Sequence, residues 1–257
     1  MMLSSILLCF PDRLFWSRVE ESLDAAATNT RQTLNSARKF SMKLYYYDHC
    51  PFCTRAKMVA GYKRVPVEYI VLLNDDSDTC MRLVHKKQVP ILEFDDGTAM
   101  VESLDIAHKF DEIGQKNRVI SPASDHQKVV TDELSTISAD INELLYPRNV
   151  RASLPEFATK SAIDYFRAKK EKSLGKSFDQ AMSETADHKK KVEDKLATLP
   201  FHPDNKNQRL SWDDVMIFPT LRNLTIVKDI KMPQIIEDYV KHISALTGIQ
   251  LYYDRAL

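Results

Sequence analysis

The first part of the chain alternates short apolar runs with amphipathic stretches. Residues 43–47, 66–72, 91–94 and 98–101 are short and apolar or aromatic, which predicts strands, and Asp95-Asp96-Gly97 predicts a hairpin turn between the last two. Residues 51–62, 79–83 and 103–113 predict helices, the first with a proline in its first turn and the last ended by Gly114. The predicted order is therefore β-α-β-α-β-β-α.

The second part of the chain shows helical periodicity and no convincing strand. Ser211 has the position of an N-cap, with Asp213 and Asp214 in the first turn of the helix that follows. Helices are predicted near residues 124–146, 157–172, 177–198, 211–228 and 233–247, separated by Pro147, Pro155, Gly175, Pro200, Pro203 and Pro233.

These patterns divide the chain into domains. Two βαβ-type crossovers beside a Cys-x-x-Cys motif are typical of a thioredoxin-like domain. The sequence therefore predicts an α/β thioredoxin-like N-terminal domain at residues 42–113, a linker at 114–121 and an all-α C-terminal domain at 122–257.

Residues 1–41 form a leader that differs from the rest of the chain. Its apolar start, closed by Pro11, lacks the basic residues of a signal peptide, and acids such as Asp12 and Glu20 argue against a transit peptide. We expect this leader to be disordered or to be a non-native start. A loosely packed accessory helix and a targeting segment are the alternatives.

Composition and charge narrow the class of protein. The 257 residues include 36 basic and 36 acidic side chains, and this balance argues against a nucleic-acid binder, which usually carries a basic stripe. No apolar run approaches the roughly 20 residues that a membrane span needs. The 5 glycines form no Gly-x-Gly, so phosphate-loop and dinucleotide fingerprints are absent. With only 4 cysteines we expect a cytoplasmic protein with thiol chemistry rather than a secreted disulfide scaffold.

The Cys50-Pro51-Phe52-Cys53 motif is the strongest chemical signal. Pro51 suits the first helical position, which makes Cys50 the N-cap. The amides of Phe52 and Cys53 and the helix dipole then favour the Cys50 thiolate, whose pKa should fall below the usual value of about 8.5. We expect a pKa below about 7 once the basic flank is included. That flank contains no acid and consists of Arg55, Lys57, Lys63 and Arg64.

Helical spacing predicts different roles for the two thiols. Cys50 is expected at the exposed end of the helix, where it would attack a disulfide, and Cys53 on the buried face would resolve the mixed disulfide. The predicted buried face consists of Phe52, Cys53, Ala56, Val59 and Ala60. The alternatives are two inert thiols or half of a metal site, including an iron–sulfur arrangement bridged between two chains. His49 is the only candidate ligand nearby, so we expect no metal. We expect His49 itself in a solvated loop, and the alternative is that it helps to stabilise the Cys50 thiolate.

Two further segments complete the predicted site. Pro90 directly precedes a strand, where a proline marks the strand start or a cis bond. A cis bond would turn the Val89 amide and carbonyl outward to pair with a peptide-like substrate. Ser103 as a helix N-cap would offer donors to a carboxylate and Glu102 would accept from an ammonium, which together suit an amino-acid head group such as γ-glutamyl. Taken singly, each is also an ordinary structural proline or N-cap.

The remaining candidates are expected to carry no function. Cys9 and Cys80 have no partner spacing. Asn223 begins a glycosylation motif, but it lies in a predicted helix. His188 and His202 are expected at the surface because their neighbours are polar.

The motifs resemble a known family, the bacterial glutaredoxin 2 type, which is a large glutaredoxin with a glutathione-transferase-like architecture. The resemblance covers Met42 to about Leu257, and the leader departs from it. It rests on Met42-Lys43-Leu44-Tyr45, Cys50-Pro51-Phe52-Cys53, Val89-Pro90-Ile91-Leu92, Glu102-Ser103-Leu104-Asp105-Ile106 and, in the helical half, Phe218-Pro219-Thr220-Leu221-Arg222-Asn223-Leu224-Thr225.

The resemblance implies glutathione-dependent thiol–disulfide exchange. Cys50 would be the nucleophile and Cys53 the resolving thiol. Electrons would come from glutathione, itself reduced by NADPH through glutathione reductase. The substrates would be glutathionylated or disulfide-containing proteins. Neither nucleic acid nor a membrane is expected as a partner, and we expect a monomer.

The resemblance also implies a glutathione-binding set. Pro90 would be the cis proline and Val89 would hold the cysteinyl backbone of glutathione. Glu102 and Ser103 would hold its γ-glutamyl group.

Two other functions remain open at the level of sequence. The first is a glutathione transferase of the cysteine type, against which Cys53 argues, because conjugation needs no resolving thiol. The second is a non-enzymatic helical binding module with a vestigial redox domain. The intact Cys-Pro-Phe-Cys motif with its basic flank argues against that alternative.

Overall fold

A computed structural model describes residues 42–203 and 209–257 of the chain. The leader and Cys9 lie outside the described residues. Four strands form one mixed sheet in the order β2-β1-β3-β4, with β1 parallel to β2 and the other pairs antiparallel. The strands are β1 (Met42–Tyr46), β2 (Glu68–Val71), β3 (Ile91–Phe94) and β4 (Ala99–Met100). The predicted order of strands and helices along the chain, β-α-β-α-β-β-α, is confirmed, although β2 and β4 are shorter than the apolar runs that predicted them.

Three helices accompany the sheet, and the strand alternation decides what each face packs against. Leu44 pairs with Leu92 and both lie in the core that contains Val59 and Phe110 of the first and third helices. The neighbouring pair, Tyr45 and Ile91, belongs to a second core with Cys80, because successive side chains point to opposite faces. These helices are α1 (Pro51–Lys63), α2 (Ser77–Val84) and α3 (Ser103–Ile113).

The second half of the chain is helical, as predicted. Ser211 caps one of these helices and Asp214 completes a reciprocal capping box. The helices are α4 (Asp125–Ser135), α5 (Ser138–Asn149), α6 (Lys160–Leu174), α7 (Phe178–Ser183), α8 (Thr185–Thr198), α9 (Trp212–Leu224) and α10 (Gln234–Thr247), with 3-10 turns at Pro155–Phe157 and Tyr253–Arg255. Among the described residues, no helix is both long and apolar enough to cross a membrane.

Three details of the helical prediction were wrong. The predicted helix 124–146 is two helices, and hydroxyl groups of Ser135 and Thr136 bond back to carbonyls at the break. The predicted helix 177–198 breaks in the same way beside Ser183 and Thr185. Pro147 does not separate two helices but lies inside the last turn of α5.

Close packing between α1 and α10 depends on Gly61. A Cβ atom placed on Gly61 would lie 2.0 Å from the backbone oxygen of Thr247, far inside contact distance. The relevant neighbour is backbone, so it cannot rotate away as a flexible side chain would. This contact joins the helix that begins at Cys50 to the helical half of the chain.

Gly61→Ala should therefore destabilise the fold, although a glycine-to-alanine change in an exposed helix normally stabilises it by about 1 kcal/mol. We expect the free energy of unfolding to fall by about 1–3 kcal/mol, the usual cost of overpacking. Urea unfolding followed by circular dichroism measures it. A stabilised variant would show that α1 and α10 do not approach this closely.

Candidate functional site

The helix start at Cys50 follows the sequence prediction. Cys50 is the N-cap of α1 and Pro51 is its first residue, while the first turn contains no acid. The Cys50 Sγ atom accepts a hydrogen bond from the Cys53 amide at 3.4 Å. A sulfur held at a helix N-terminus is stabilised as the thiolate by the amides and by the helix dipole.

The two thiols differ sharply in protonation. The hydrogen bond from the Cys53 side chain lowers the pKa of Cys50, burial opposes this, and the charge of His49 and the backbone amides help to lower the pKa to about 7. Burial first, and then the Cys50 sulfur, raise the pKa of Cys53 well above its usual value. At neutral pH the pair therefore holds its negative charge on Cys50.

The exposure of the motif differs from the prediction. Cys50 is only 9% exposed and Cys53 is fully buried, so Cys50 does not lie at an open helix end. Phe52, predicted on the buried face, is 51% exposed and lies against the Arg55 guanidinium at 4.9 Å. Phe52 lies beside Cys50 in the first turn of α1 and lines the same open cleft as Cys50.

The basic flank contributes less to the thiolate than its sequence suggested. Lys63 pairs with Asp111 at 2.7 Å and Lys57 with Asp48 at 3.2 Å. Of the four basic residues, Arg55 is the one that lines the same cleft as Cys50. The largest charge effect that lowers the Cys50 pKa comes from His49 instead.

The segment before Cys50 is held by residues from the far end of the chain. Arg222 donates to the Asp48 carbonyl at 2.7 Å and to the Asp48 carboxylate at 3.1 Å. Tyr252 donates to the same carboxylate at 2.8 Å, and Asn223 donates to the His49 carbonyl at 2.8 Å. Burial raises the pKa of Asp48, but the positive charges of Arg222 and Lys57 outweigh it and hold the pKa well below the usual range.

His49 is largely buried, with 13% of its side chain exposed, and it is partnered, which corrects the prediction of a solvated loop residue. Both its amide and its Nδ1 atom bond the Glu156 carboxylate, at 2.9 and 2.5 Å. Its ring lies among three aromatic rings, those of Tyr47, Phe157 and Phe166. Burial raises the pKa of Glu156, yet the bonds from His49 prevail and the pKa lies below its usual value. A buried carboxylate needs such a partner, which fixes the ring beside Cys50.

Four residues of this site escaped the sequence analysis as functional residues, namely Asp48, Glu156, Arg222 and Asn223. Arg222 and Asn223 lie in a segment that was noted only for its family resemblance, and Asn223 was considered only as a glycosylation acceptor. Its amide is in fact committed to His49, consistent with discounting glycosylation. The available signal was that Arg222 and Asn223 form a polar pair inside an otherwise apolar helix. Buried polar groups need hydrogen-bond partners, so such a pair indicates a distant contact.

The proposed glutathione-binding residues show one agreement and one correction. The Val89–Pro90 bond is cis, which is one of the two alternatives that the sequence left open, a strand start or a cis bond. Ser103 is not an N-cap: it is the first residue of α3, and Glu102 occupies the cap position without a side-chain bond. Glu102 has φ of 67°, a conformation that is uncommon for residues with a side chain and recurs at functional sites.

An open cleft of about 740 Å³ lies in front of Cys50. Cys50, Phe52 and Val89 line one side, and residues of α4, α5, α6 and α9 line the other. Pro90, Glu102 and Ser103 are not among the residues that line it. The structure thus brings Cys50 and Val89 to one cavity, whereas the head-group residues lie outside it.

The remaining candidates are explained by local bonding. The Cys80 thiol is buried and donates to the Gln88 carbonyl at 3.5 Å. His202 is exposed, as expected, but His188 is largely buried and bonds Asp140 at 2.7 Å, because its helix packs against α5.

One group of metal-ligand side chains occurs away from the cleft, formed by Glu143, Glu184 and His188. The Lys176 ammonium lies between its two carboxylates, at 3.1 and 2.6 Å. An ammonium within the chain therefore already pairs with both carboxylates of this cluster.

Comparisons with known proteins agree with this geometry. Residues 130–256 match the family model "Glutaredoxin 2, C terminal domain", and residues 44–118 match "Glutathione S-transferase, N-terminal domain". The chain is 40% identical to Glutaredoxin 2 of Escherichia coli over 219 residues, which cover 84% of this chain and 100% of that protein.

Solved structures give the same result. Glutaredoxin 2 from Salmonella typhimurium, crystallised in complex with glutathione, matches with a TM-score of 0.75 and 38% identity over 84% of this chain and 99% of that one. A glutathione transferase from Phanerochaete chrysosporium, 11% identical with a TM-score of 0.53 over 82% of this chain and 97% of that one, shares the fold. From its sequence identity, its coverage and the helical-domain model, the chain belongs to the glutaredoxin 2 family.

Proposed function

We propose that Cys50 and Cys53 carry out the thiol–disulfide exchange of this glutathione-dependent oxidoreductase. The observation that carries the assignment is the separation of the two thiols. Cys50 lies at a helix N-terminus with its pKa lowered to about 7, and Cys53 is fully buried with its pKa raised. The thiolate is the attacking species, so Cys50 is the nucleophile.

Reduction of a protein–glutathione mixed disulfide needs Cys50 alone. The Cys50 thiolate attacks the glutathione sulfur, the S–S bond of the substrate breaks, and the protein thiolate leaves and takes up a proton. A second glutathione, as its thiolate, attacks the glutathione sulfur of the intermediate. Glutathione disulfide leaves and the Cys50 thiolate is restored.

Reduction of a disulfide within a protein also needs Cys53. Attack by Cys50 then gives a mixed disulfide with the substrate protein, and the Cys53 thiolate attacks the Cys50 sulfur to release the substrate dithiol. The charge of the Cys50 thiolate is one cause of the raised pKa of Cys53, and that charge disappears when the mixed disulfide forms. Formation of the intermediate therefore activates the resolving thiol, and two glutathione molecules reduce the Cys50–Cys53 disulfide.

The glutathione site is proposed at Val89, Pro90, Glu102 and Ser103. The cis bond at Val89–Pro90 supports backbone pairing with the cysteinyl residue, and the Salmonella relative binds glutathione. Glu102 would accept from the γ-glutamyl ammonium, and Ser103 at the start of α3 would donate to the carboxylate.

His49 is proposed as a positioning residue for the thiolate. Its backbone precedes the N-cap and its ring is fixed by Glu156 and three aromatic rings. A proton on that ring places a positive charge beside the Cys50 sulfur, which lowers the pKa of Cys50. The helical half, which supplies Glu156, thus takes part in activating the nucleophile.

The remaining proposals concern organisation and setting. We propose a thioredoxin-like domain at residues 42–113, a linker at 114–121 and a helical domain at 122–257. The substrates would be glutathionylated or disulfide-containing proteins, with glutathione reductase acting indirectly. We place the activity in the cytoplasm, where thiols such as Cys50 and Cys53 are kept reduced, and we expect a monomer.

The first prediction separates the two cysteines. Cys50→Ser should abolish all thiol exchange, because it removes the nucleophile. Cys53→Ser should still reduce a glutathionylated peptide with glutathione but should lose efficient reduction of a protein disulfide. Both reactions are followed as NADPH consumption through glutathione reductase, with Cys80→Ser as the control. An active Cys50→Ser beside an inactive Cys53→Ser would reverse the assignment.

The second prediction concerns the His49 charge. In His49→Gln/Glu156→Gln, which removes the ion pair without leaving a buried carboxylate alone, the Cys50 pKa should rise from about 7 toward the usual value of about 8.5. Thiolate forms as pH rises through the pKa, so activity near pH 7 should fall. The pH dependence of iodoacetamide alkylation measures it, with exposed His202→Gln as control. An unchanged profile would leave the Cys53 thiol and the helix terminus as the sources of activation.

The third prediction concerns the head group of glutathione. Glu102→Gln and Ser103→Ala should each raise the KM for glutathione severalfold while leaving the Cys50 pKa unchanged, because both residues lie outside the cleft that contains the thiol. Steady-state kinetics and alkylation profiles test the two parts. Wild-type KM values in both variants would move the head-group site elsewhere.

A further inference from the structure

The cleft in front of Cys50 is strongly one-sided in charge, although the chain as a whole is neutral. Four basic side chains line it, and no aspartate or glutamate among the described residues does. The chain has 36 basic and 36 acidic residues, so this distribution is local. The four are Arg55, Lys87, Lys169 and Lys170.

These cations have no carboxylate partner within the described part of the chain. The Arg55 Nε and Lys87 Nζ atoms are buried without a hydrogen-bond acceptor there. Lys170 lies over the Tyr146 ring at 4.4 Å, which orients the ammonium without neutralising it. Other basic residues of the same helix α6 are paired: Lys160 with Asp164 and Arg167 with Glu171.

The four cations divide into two groups by position. Arg55 and Lys87 come from the same half of the chain as Cys50 and Val89, where the glycyl carboxylate of glutathione would lie. Lys169 and Lys170 come from α6 on the opposite side, together with Tyr165 and Phe166. The spacing of these four α6 residues places them along one helix face. The lysines and the aromatic rings would therefore contact the same bound molecule.

The wall opposite Cys50 carries apolar and aromatic side chains together with uncharged polar ones. A small inorganic anion would leave the apolar side chains in contact with water, whereas a polypeptide segment would cover them and supply carboxylates to the lysines. The cleft is open, which suits a segment attached to a folded protein. The apolar and aromatic side chains of this wall are Leu134, Ile141, Leu145, Tyr146, Tyr165, Phe166 and Met216.

We propose that Lys169 and Lys170 select disulfide substrates whose reacting cysteine is flanked by acidic and apolar residues. The inference rests on the proposed function and names the substrate class of the same site. The chemical step is unchanged: Cys50 takes the glutathione sulfur and the acidic peptide leaves as its thiol. The lysines act on binding and on the rate of encounter, because a concentrated positive field attracts an acidic partner.

The test compares three glutathionylated peptides of equal length that share their apolar residues and differ only in the residues beside the cysteine, which are Glu, Gln or Lys. The wild-type protein should show the highest kcat/KM for the Glu peptide and the lowest for the Lys peptide. The preference should shrink as salt concentration rises, since exposed charges are screened.

The variant Lys169→Gln/Lys170→Gln should lower the Glu-to-Gln peptide ratio of kcat/KM by about 2- to 30-fold, the range expected from two exposed charge pairs. The matched control is Lys160→Gln/Lys172→Gln, which removes the same charge from α6 at positions outside the cleft and should keep the wild-type ratio. An equal effect in both variants would overturn the inference, because it would report net charge alone.

Two other outcomes are also decisive. If the wild-type protein reduces the neutral hydroxyethyl disulfide but does not discriminate among the peptides, substrate selection by the lysines is wrong while the proposed function stands. If no disulfide is reduced, the proposed function itself fails. If Lys169→Gln/Lys170→Gln raises the KM for glutathione and leaves the peptide ratio unchanged, the lysines bind glutathione and the inference is overturned.

Discussion

The ion pair between Asp48 and Arg222 is the interaction on which the site depends. Arg222 is almost fully buried, and its guanidinium bonds the carbonyl and the carboxylate of Asp48 while lying over the Tyr252 ring at 3.8 Å. Removing one partner of a buried pair leaves the other charge uncompensated, which costs several kcal/mol. The pair therefore strongly favours one position of the segment that delivers Cys50 to the helix start.

From that constraint the chemistry of the thiols follows in order. A fixed segment at residues 48–49 makes Cys50 the N-cap, and the N-cap position gives its sulfur the amide of Cys53. The same segment carries His49 into the aromatic cluster, where Glu156 holds its ring. The electrostatic difference between the two cysteines is thus produced partly by residues more than a hundred positions away, and the helical half is a structural part of the redox centre.

The sequence predicted the features that depend on neighbouring residues and missed the contacts between residues that are far apart in the chain. The strand order, the helix that begins at Pro51 and the N-cap position of Cys50 follow from periodicity and proline chemistry within a few residues. The bonds from Glu156, Arg222 and Asn223 to residues 48–49 span 107 and 174 positions, and no local pattern encodes them. The burial of His49 was misjudged for the same reason, because its ring packs against Phe157 and Phe166 of the helical half, whereas Cys50 packs in the core of the N-terminal half.

The errors at Ser103 and in the basic flank have a different cause. In each case the sequence pattern is present, but more than one side chain can fill the role that the pattern predicts. Ser103 and Glu102 can each occupy a cap position, and the backbone of Glu102 adopts the left-handed φ that decides between them. Lys57 and Lys63 have the right spacing to serve Cys50, yet Asp48 and Asp111 lie closer and take their charges. Sequence fixes which charges are available to a site, and tertiary pairing decides which of them stay free. In this chain Arg55 has no carboxylate partner among the described residues, and it lines the cleft beside Cys50.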